Sequence, residues 1–352
     1  MTEKTADNKD IHIYRGEGVP ISGRSIELPE FDLSLAFEDP KNYIASEGLR
    51  DAVNVALNLG QPLLVTGEPG TGKTRLAASI AWELGLELLE FHTKTTSTAT
   101  DLFYQYDALR RFQDAQIKDQ TQNQARDQIS GQTPIEDYIT CQALGIAILL
   151  TNPADQARRI LPEKYRKDDP SRSVVLIDEI DKAPRDLPND VLDEIENMQF
   201  RIRETTWEPF KANRAFRPVV ILTSNSEKNL PDAFLRRCVF YHIEFPGPEM
   251  LKQIVVKRFK GNGEKTGFKP EFTGDFLDAA VNHFENIRKL DLKKWPSTAE
   301  FLNWISILKT LGANFSQTDD GSLRKIEMSC PVLAKNRDDL MRIKRYFADA
   351  LK

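Results

Sequence analysis

Eight consecutive residues carry the first chemical signal. Gly67-Glu68-Pro69-Gly70-Thr71-Gly72-Lys73-Thr74 fits the pattern G-x-x-x-x-G-K-[ST] in full. Glycine at 67, 70 and 72 frees the backbone to wrap with its N–H groups turned inward. A helix predicted to begin at Gly72 sets its unpaired donors and positive dipole end against the same space. That combination is a cradle for phosphate oxygens. Lys73 can reach the β- and γ-phosphates of a nucleoside triphosphate, and Thr74 offers a hydroxyl to Mg²⁺. The apolar stretch 62–66 reads as a buried strand. Leu76, Ala77, Ile80 and Ala81 fall on one face of a helix running to residue 84, so the motif has the strand–loop–helix setting it requires.

A second pattern supplies the acids. Val174-Val-Leu-Ile-Asp178-Glu179 is an apolar strand ending in two carboxylates. Burial of that strand delivers Asp178 to the edge of a sheet where it can hold Mg²⁺ through the metal's water shell. Glu179 is then placed to polarise an attacking water, a general-base position. A pair of carboxylates capping the next helix is the plainer alternative, and the phosphate loop outweighs it. A water-activating glutamate points to hydrolysis rather than transfer to another acceptor. Adenine is the expected base, because the guanine reader N-K-x-D is missing and Asn225-Ser-Glu-Lys228 is the nearest string.

These groups need a sheet to bring them to one edge. Strands are predicted at 88–92, 174–178, 219–224 and 239–245, with helices at 46–59, 72–84 and 186–198. Strands separated by helices imply crossover connections and a mostly parallel sheet. After Pro246-Gly-Pro248 the pattern turns to helices alone, at 250–259, 272–287, 298–311 and 338–350. The expected organisation is an arm over 1–40 with one short strand at 11–14, an α/β nucleotide-binding domain over 41–246, and a smaller helical domain over 247–352.

Composition sets the outer limits. The 352 residues hold 48 Lys+Arg against 53 Asp+Glu, a formal charge of −5, which argues against a dedicated duplex-DNA binder but leaves room for a local basic channel. Cys141, Cys238 and Cys330 make no C-x-x-C pair, which fits a reducing compartment and rules out a zinc ribbon. The polar N-terminus does not read as a signal peptide, and the longest apolar run, 144–150, is far short of the ~20 residues of a membrane span. A cytoplasmic protein without a membrane anchor is expected.

With these pieces placed, residues 41–310 resemble the AAA+ ATPases, and among them the MoxR-like group. The resemblance is carried by GEPGTGKT (67–74), VVLIDEIDKAP (174–184), VVILTSNSEKNLPDAFLRRC (219–238) and the helical tail. It implies a P-loop AAA+ three-layer αβα domain with a parallel sheet, followed by a smaller all-helical lid. It also implies ATP and Mg²⁺ as cofactors and a homo-oligomeric ring, a hexamer, in which a neighbouring subunit completes each active site. Asn225 matches the sensor-1 residue, whose polar side chain can bind the γ-phosphate and the water; a turn-forming Asn is the alternative. Within 230–238, aligning the apolar residues puts Arg237 at the arginine-finger position, with Arg236 next. A solvated or salt-bridged pair is the plainer reading of both. Tyr43 and Ile44 stand where the family's adenine pocket begins. The group implies chaperone-like remodelling of a protein client, commonly a von Willebrand factor A-type protein.

Two features depart from the family pattern. No Arg occupies the sensor-2 position in Trp295-Pro296-Ser297-Thr298-Ala299-Glu300, and an insert of about 105–172 lengthens the second crossover. That insert takes in a Gln-rich stretch and an apolar helix around 139–150. Residues 199–204 alternate apolar and charged and predict a hairpin, facing either a central pore or solvent, with Arg201 and Arg203 outward. His92 is a polar switch near Glu179 or, more simply, a satisfied or exposed histidine. Trp295, Phe301 and Trp304 form an aromatic set better suited to lid core than to base binding. Two other functions compete. One is a nucleic-acid motor or loader using Lys94, Arg110, Arg111, Arg201 and Arg203; the other is an ATP-binding assembly switch with little hydrolysis.

Overall fold

The computed structural model describes residues 39–122, 133–153, 160–166, 169–226, 230–260, 274–315 and 320–351. The arm expected over 1–40 therefore lies outside the described residues, Asp39 and Pro40 excepted. Nine strands are described: β1 Leu63–Gly67, β2 Glu87–His92, β3 Tyr104–Tyr106, β4 Ile139–Cys141, β5 Ser173–Asp178, β6 Gln199–Phe200, β7 Phe210–Lys211, β8 Val219–Thr223 and β9 Val239–Ile243. The described helices are α1 Glu47–Leu59, α2 Lys73–Leu84, α3 Ala108–Gln122, α4 Ala143–Leu150, α5 Leu187–Asp190, α6 Leu192–Asn197, α7 Asp232–Leu235, α8 Pro248–Lys260, α9 Gly274–Arg288, α10 Thr298–Thr310, α11 Asp320–Ser329 and α12 Arg337–Ala350.

Five strands form one sheet in the order β2-β5-β8-β1-β9, and every neighbouring pair is parallel. β1 and β5 are buried along their whole length, as strands covered on both faces must be, and each is built on an apolar run, 63–65 and 174–177, with Thr66, Ser173 and Asp178 as buried polar residues at the ends. Helices flank this sheet in three αβα layers. α2 packs on β1, β2, β5 and β8, while α4 packs on β2 and β5. The order matters for function: β1, which feeds the phosphate loop, sits beside β8, and β8 sits beside β5, which ends in the acids. Parallel pairing puts all three C-terminal ends on one edge.

Three of the predicted elements differ in form from expectation. The apolar helix predicted around 139–150 begins only at Ala143, because Ile139–Cys141 pairs antiparallel with Tyr104–Tyr106. All eight residues of α4 are buried, so its sequence has no polar face by which to mark its start. The single helix predicted at 186–198 is two short ones, α5 and α6, parted at Val191, whose backbone (φ −99°, ψ 1°) leaves the helical region. The predicted hairpin is real but short, two residues per strand, and Arg201 and Arg203 are exposed while Phe200 and Ile202 are buried.

The chain packs as two units, Ala45–Glu244 and, beyond it, Phe245–Lys352 with the described residues before Ala45. In the first, the apolar core runs from the sheet through α4 to the hairpin, where Phe103 and Phe210 both stack on Phe200. The second is helical. Its core gathers Phe284, Phe301, Trp304, Ile326, Ile343 and Phe347 from α9 to α12. Phe301 and Trp304 are thus core, whereas Trp295 is 55% exposed and takes no part in it. Ser297 caps α10 in a reciprocal capping box with Glu300.

Candidate active site

The loop between β1 and α2 is held open by glycine. Gly67, Gly70 and Gly72 all have positive φ, at 149°, 79° and 92°. A Cβ at Gly67 would stand 2.6 Å from the Ile243 carbonyl of the paired strand, so no other residue fits there without moving β9. Thr71 folds back inside the loop, its hydroxyl donating to the Glu68 carbonyl at 2.9 Å. Pro69 and Gly70 form the exposed tip.

Lys73 opens α2 and is only 7% exposed. Its ammonium donates to the carbonyls of Gly67 (2.8 Å) and Glu68 (3.0 Å) and to Asn225 Oδ1 (3.0 Å), using all three of its protons. Burial lowers its pKa from the usual lysine value, and the charges of Asp181, Asp178, Glu179 and Glu68 oppose that shift. A buried cation held by neutral carbonyls and surrounded by carboxylates is poised for an anion. With Oδ1 on Lys73, the Asn225 amide keeps its N–H₂ free to donate elsewhere.

The next residue meets the acids. Thr74 donates its hydroxyl to Asp178 Oδ1 at 2.9 Å, which brings the two expected Mg²⁺ ligands into contact. Both are hard oxygen donors, and Mg²⁺ commonly takes only one or two protein oxygens beside phosphate and water. The donor set therefore fits the metal, as the glycine cradle and Lys73 fit a polyphosphate. Asp178 Oδ1 also accepts from Thr223 at 2.5 Å, and Oδ2 lies 3.5 Å from Nδ1 of His92, a side chain 65% exposed. His92 thus neighbours Asp178 at the sheet edge.

Glu179 leaves the strand in the left-handed conformation (φ 55°, ψ 49°), which costs a non-glycine residue ~1–2 kcal/mol. Its N–H donates to the Thr223 hydroxyl at 2.9 Å, and its half-buried carboxylate pairs with Lys182 one turn on. Asn225 is anchored from behind by its own N–H, which donates to Asp181 Oδ1 at 3.3 Å. Two side chains that sequence reasoning passed over, Thr223 and Asp181, therefore brace three it singled out, Asp178, Glu179 and Asn225. Thr223 gave no signal because threonine is an ordinary strand residue; Asp181 was visible within DEID but had no assigned partner.

Arg236 and Arg237 stand elsewhere. They precede β9 with only Cys238 between; its first residue Val239 pairs with Leu63 at the start of β1, while Gly67 and Ile243 pair at its end. The two arginines therefore occupy the N-terminal edge of the sheet, a strand length of ~16 Å from the edge that carries Lys73 and Asp178. Both are exposed. Arg237 donates to Glu196 Oε2 at 2.7 Å and to the Ala233 carbonyl at 3.0 Å. With Gln61, Glu196 and Arg217 they line a cleft of about 230 Å³. Tyr43 and Ile44 belong to the helical unit, where Lys257 of α8 donates to the Tyr43 carbonyl at 3.0 Å. The five basic candidates for a nucleic-acid channel are all exposed, and Arg110 and Arg111 lie against Tyr138 and Tyr106.

Residues 62–238, half of the chain, match the protein family described as AAA domain (dynein-related subfamily). No curated protein matches the chain. Similar solved structures include point mutants of RuvB from Thermotoga maritima. One is 14% identical with a TM-score of 0.45, a second 14% identical with 0.44, and each alignment covers 88% of this chain and 72% of that one. Among the described residues no helix is long and apolar enough to cross a membrane.

Proposed function

From the premise that the chain belongs to the AAA domain family, dynein-related subfamily, we propose that it is an ATP hydrolase of the MoxR-like type, working as a homo-oligomeric ring on a protein client. The observation that carries the hydrolase reading is the convergence of Lys73, Thr74, Asp178 and Asn225 within hydrogen-bond reach at one sheet edge. Mg²⁺, held by Thr74 and Asp178, would supply charge neutralisation for the phosphates.

The roles of the residues follow from what each can donate or accept. Lys73 exchanges its carbonyl partners for phosphate oxygens, which lets the buried ammonium meet full negative charge. Thr74 and Asp178 would hold the metal. Glu179 takes a proton from the attacking water, and the Asn225 amide fixes that water and the terminal phosphate. Arg237 belongs to the neighbouring subunit's site, since ~16 Å separates it from its own. The scheme of an ATPase domain over 41–246 with a lid over 247–352 is part of this proposal. So are the adenine contact of Tyr43 and Ile44 and a von Willebrand factor A-type client, which rest on the motif resemblance alone.

Steady-state phosphate release from Mg·ATP tests the reading. Wild type should hydrolyse ATP in preference to GTP. Glu179→Gln should bind nucleotide as tightly and lose roughly 100-fold or more in turnover, as expected for removal of a general base. A Glu179→Gln protein with full turnover would sink the assignment of that residue. Wild type that binds no nucleotide would sink the hydrolase.

A further inference from the structure

We propose that Thr223 is a positioning residue that sets the geometry of both acidic groups through one buried hydroxyl; this rests on the hydrolase reading. Thr223 is the last residue of β8 and has no exposed surface. β5 and β8 run parallel with Ile177 opposite Leu222, so the next pair in register is Asp178 and Thr223. There the hydroxyl donates to Asp178 Oδ1 at 2.5 Å and accepts from the Glu179 N–H at 2.9 Å.

A hydroxyl has a single proton, and here it is committed to Asp178, so the incoming Glu179 N–H fixes which lone pair is used. The two bonds therefore orient each other. The first holds the Asp178 carboxylate in the rotamer that also reaches Thr74. A metal at this site would take a lone pair of the Thr74 oxygen and leave its proton on Asp178, so Thr223 and Thr74 would together hold that carboxylate in place. The second restrains the left-handed backbone of Glu179, which would otherwise relax and swing its carboxylate away from the water. Two residues further on, Asn225 is bonded to Lys73, so the end of this strand reports on the cation, the metal ligand and the base together.

Valine is nearly isosteric with threonine and removes only the hydroxyl; serine restores it. Thr223→Val should lower turnover by roughly 10- to 100-fold, the scale of a sub-ångström displacement of catalytic groups. Thr223→Ser should recover most of that loss. A readout independent of turnover is the affinity for a fluorescent ATP analogue with and without Mg²⁺. The wild-type gain on adding Mg²⁺ should shrink in Thr223→Val, while Mg²⁺-free affinity, set by Lys73 and the loop, stays unchanged. Equal loss of both affinities, or valine and serine variants equally impaired at temperatures where each is folded, would overturn the proposal. Wild type without nucleotide affinity would instead overturn the hydrolase reading on which it stands.

Discussion

At the scale of single residues, Lys73 connects burial to activity. Desolvation lowers its pKa and four carboxylates resist that shift, so the free protein holds a proton that leaves more easily than from an exposed lysine. Between the folded value and 10.5 the unfolded chain binds more protons, so Lys73 contributes stability that rises with pH across that window. Nucleotide affinity has the opposite slope, because phosphate binds only the ammonium form. The expected result is an alkaline loss of affinity beginning below pH 10.5, together with proton uptake on binding measured by calorimetry in two buffers. An affinity flat to pH 10.5, or no proton uptake on the alkaline limb, would show that burial leaves Lys73 unperturbed. Lys73, Thr74, Asp178 and Asn225, which the structure brings into contact, were legible in the sequence because phosphate and metal chemistry call for these residue types at such motif positions. Thr223 and the partner Glu196 were not, since nothing in their spacing marks a partner formed by folding.

Strands were legible as short apolar runs and helices where one face is apolar and the other polar; a helix was illegible where burial is complete or the buried face is polar. β1, α2, β5 and β8 announced themselves. α11 did not, because the residues it turns inward include Ser322 and Ser329, and Ser329 earns its burial by accepting from Trp304 Nε1 at 2.8 Å. α4 hid its boundary for the opposite reason, having no polar face at all. The same helix offers a test of packing against propensity. Alanine is favoured over glycine inside a helix by ~1 kcal/mol. At Gly145, however, a Cβ would lie 2.1 Å from the Phe103 carbonyl, a backbone atom that cannot step aside cheaply. Overpacking of this kind costs ~1–3 kcal/mol, so the contact outweighs propensity and Gly145→Ala should be destabilised. A lowered urea midpoint at unchanged m-value is the expected observation. A raised midpoint would mean that α4 and the Phe103 turn are not in contact.

For the whole molecule the decisive fact is that the glycine loop and Arg237 lie at opposite edges of one sheet. Gly67 and Ile243 mark the edge that holds the phosphate loop; Leu63 and Val239 mark the edge that holds Arg237. No side chain spans a strand length, so Arg237 either serves a second copy or has no catalytic part, and its pair with Glu196 is what an unassembled chain would keep. Arginine-type charge stabilisation of a transferring phosphoryl group is worth ~100-fold or more in rate. Arg237→Ala alone should therefore be nearly inactive, as should Lys73→Ala alone, the first through the neighbour's site and the second through its own. Mixed in equal amounts, the two variants create some interfaces where an intact loop meets an intact arginine. Random assembly in a head-to-tail ring makes about a quarter of the sites complete, so turnover should recover to about that fraction of wild type. A mixture of wild type with the Lys73→Ala, Arg237→Ala double variant controls for dilution. Mixtures as inactive as their components, with both variants shown to co-assemble by sedimentation, would place the catalytic arginine elsewhere.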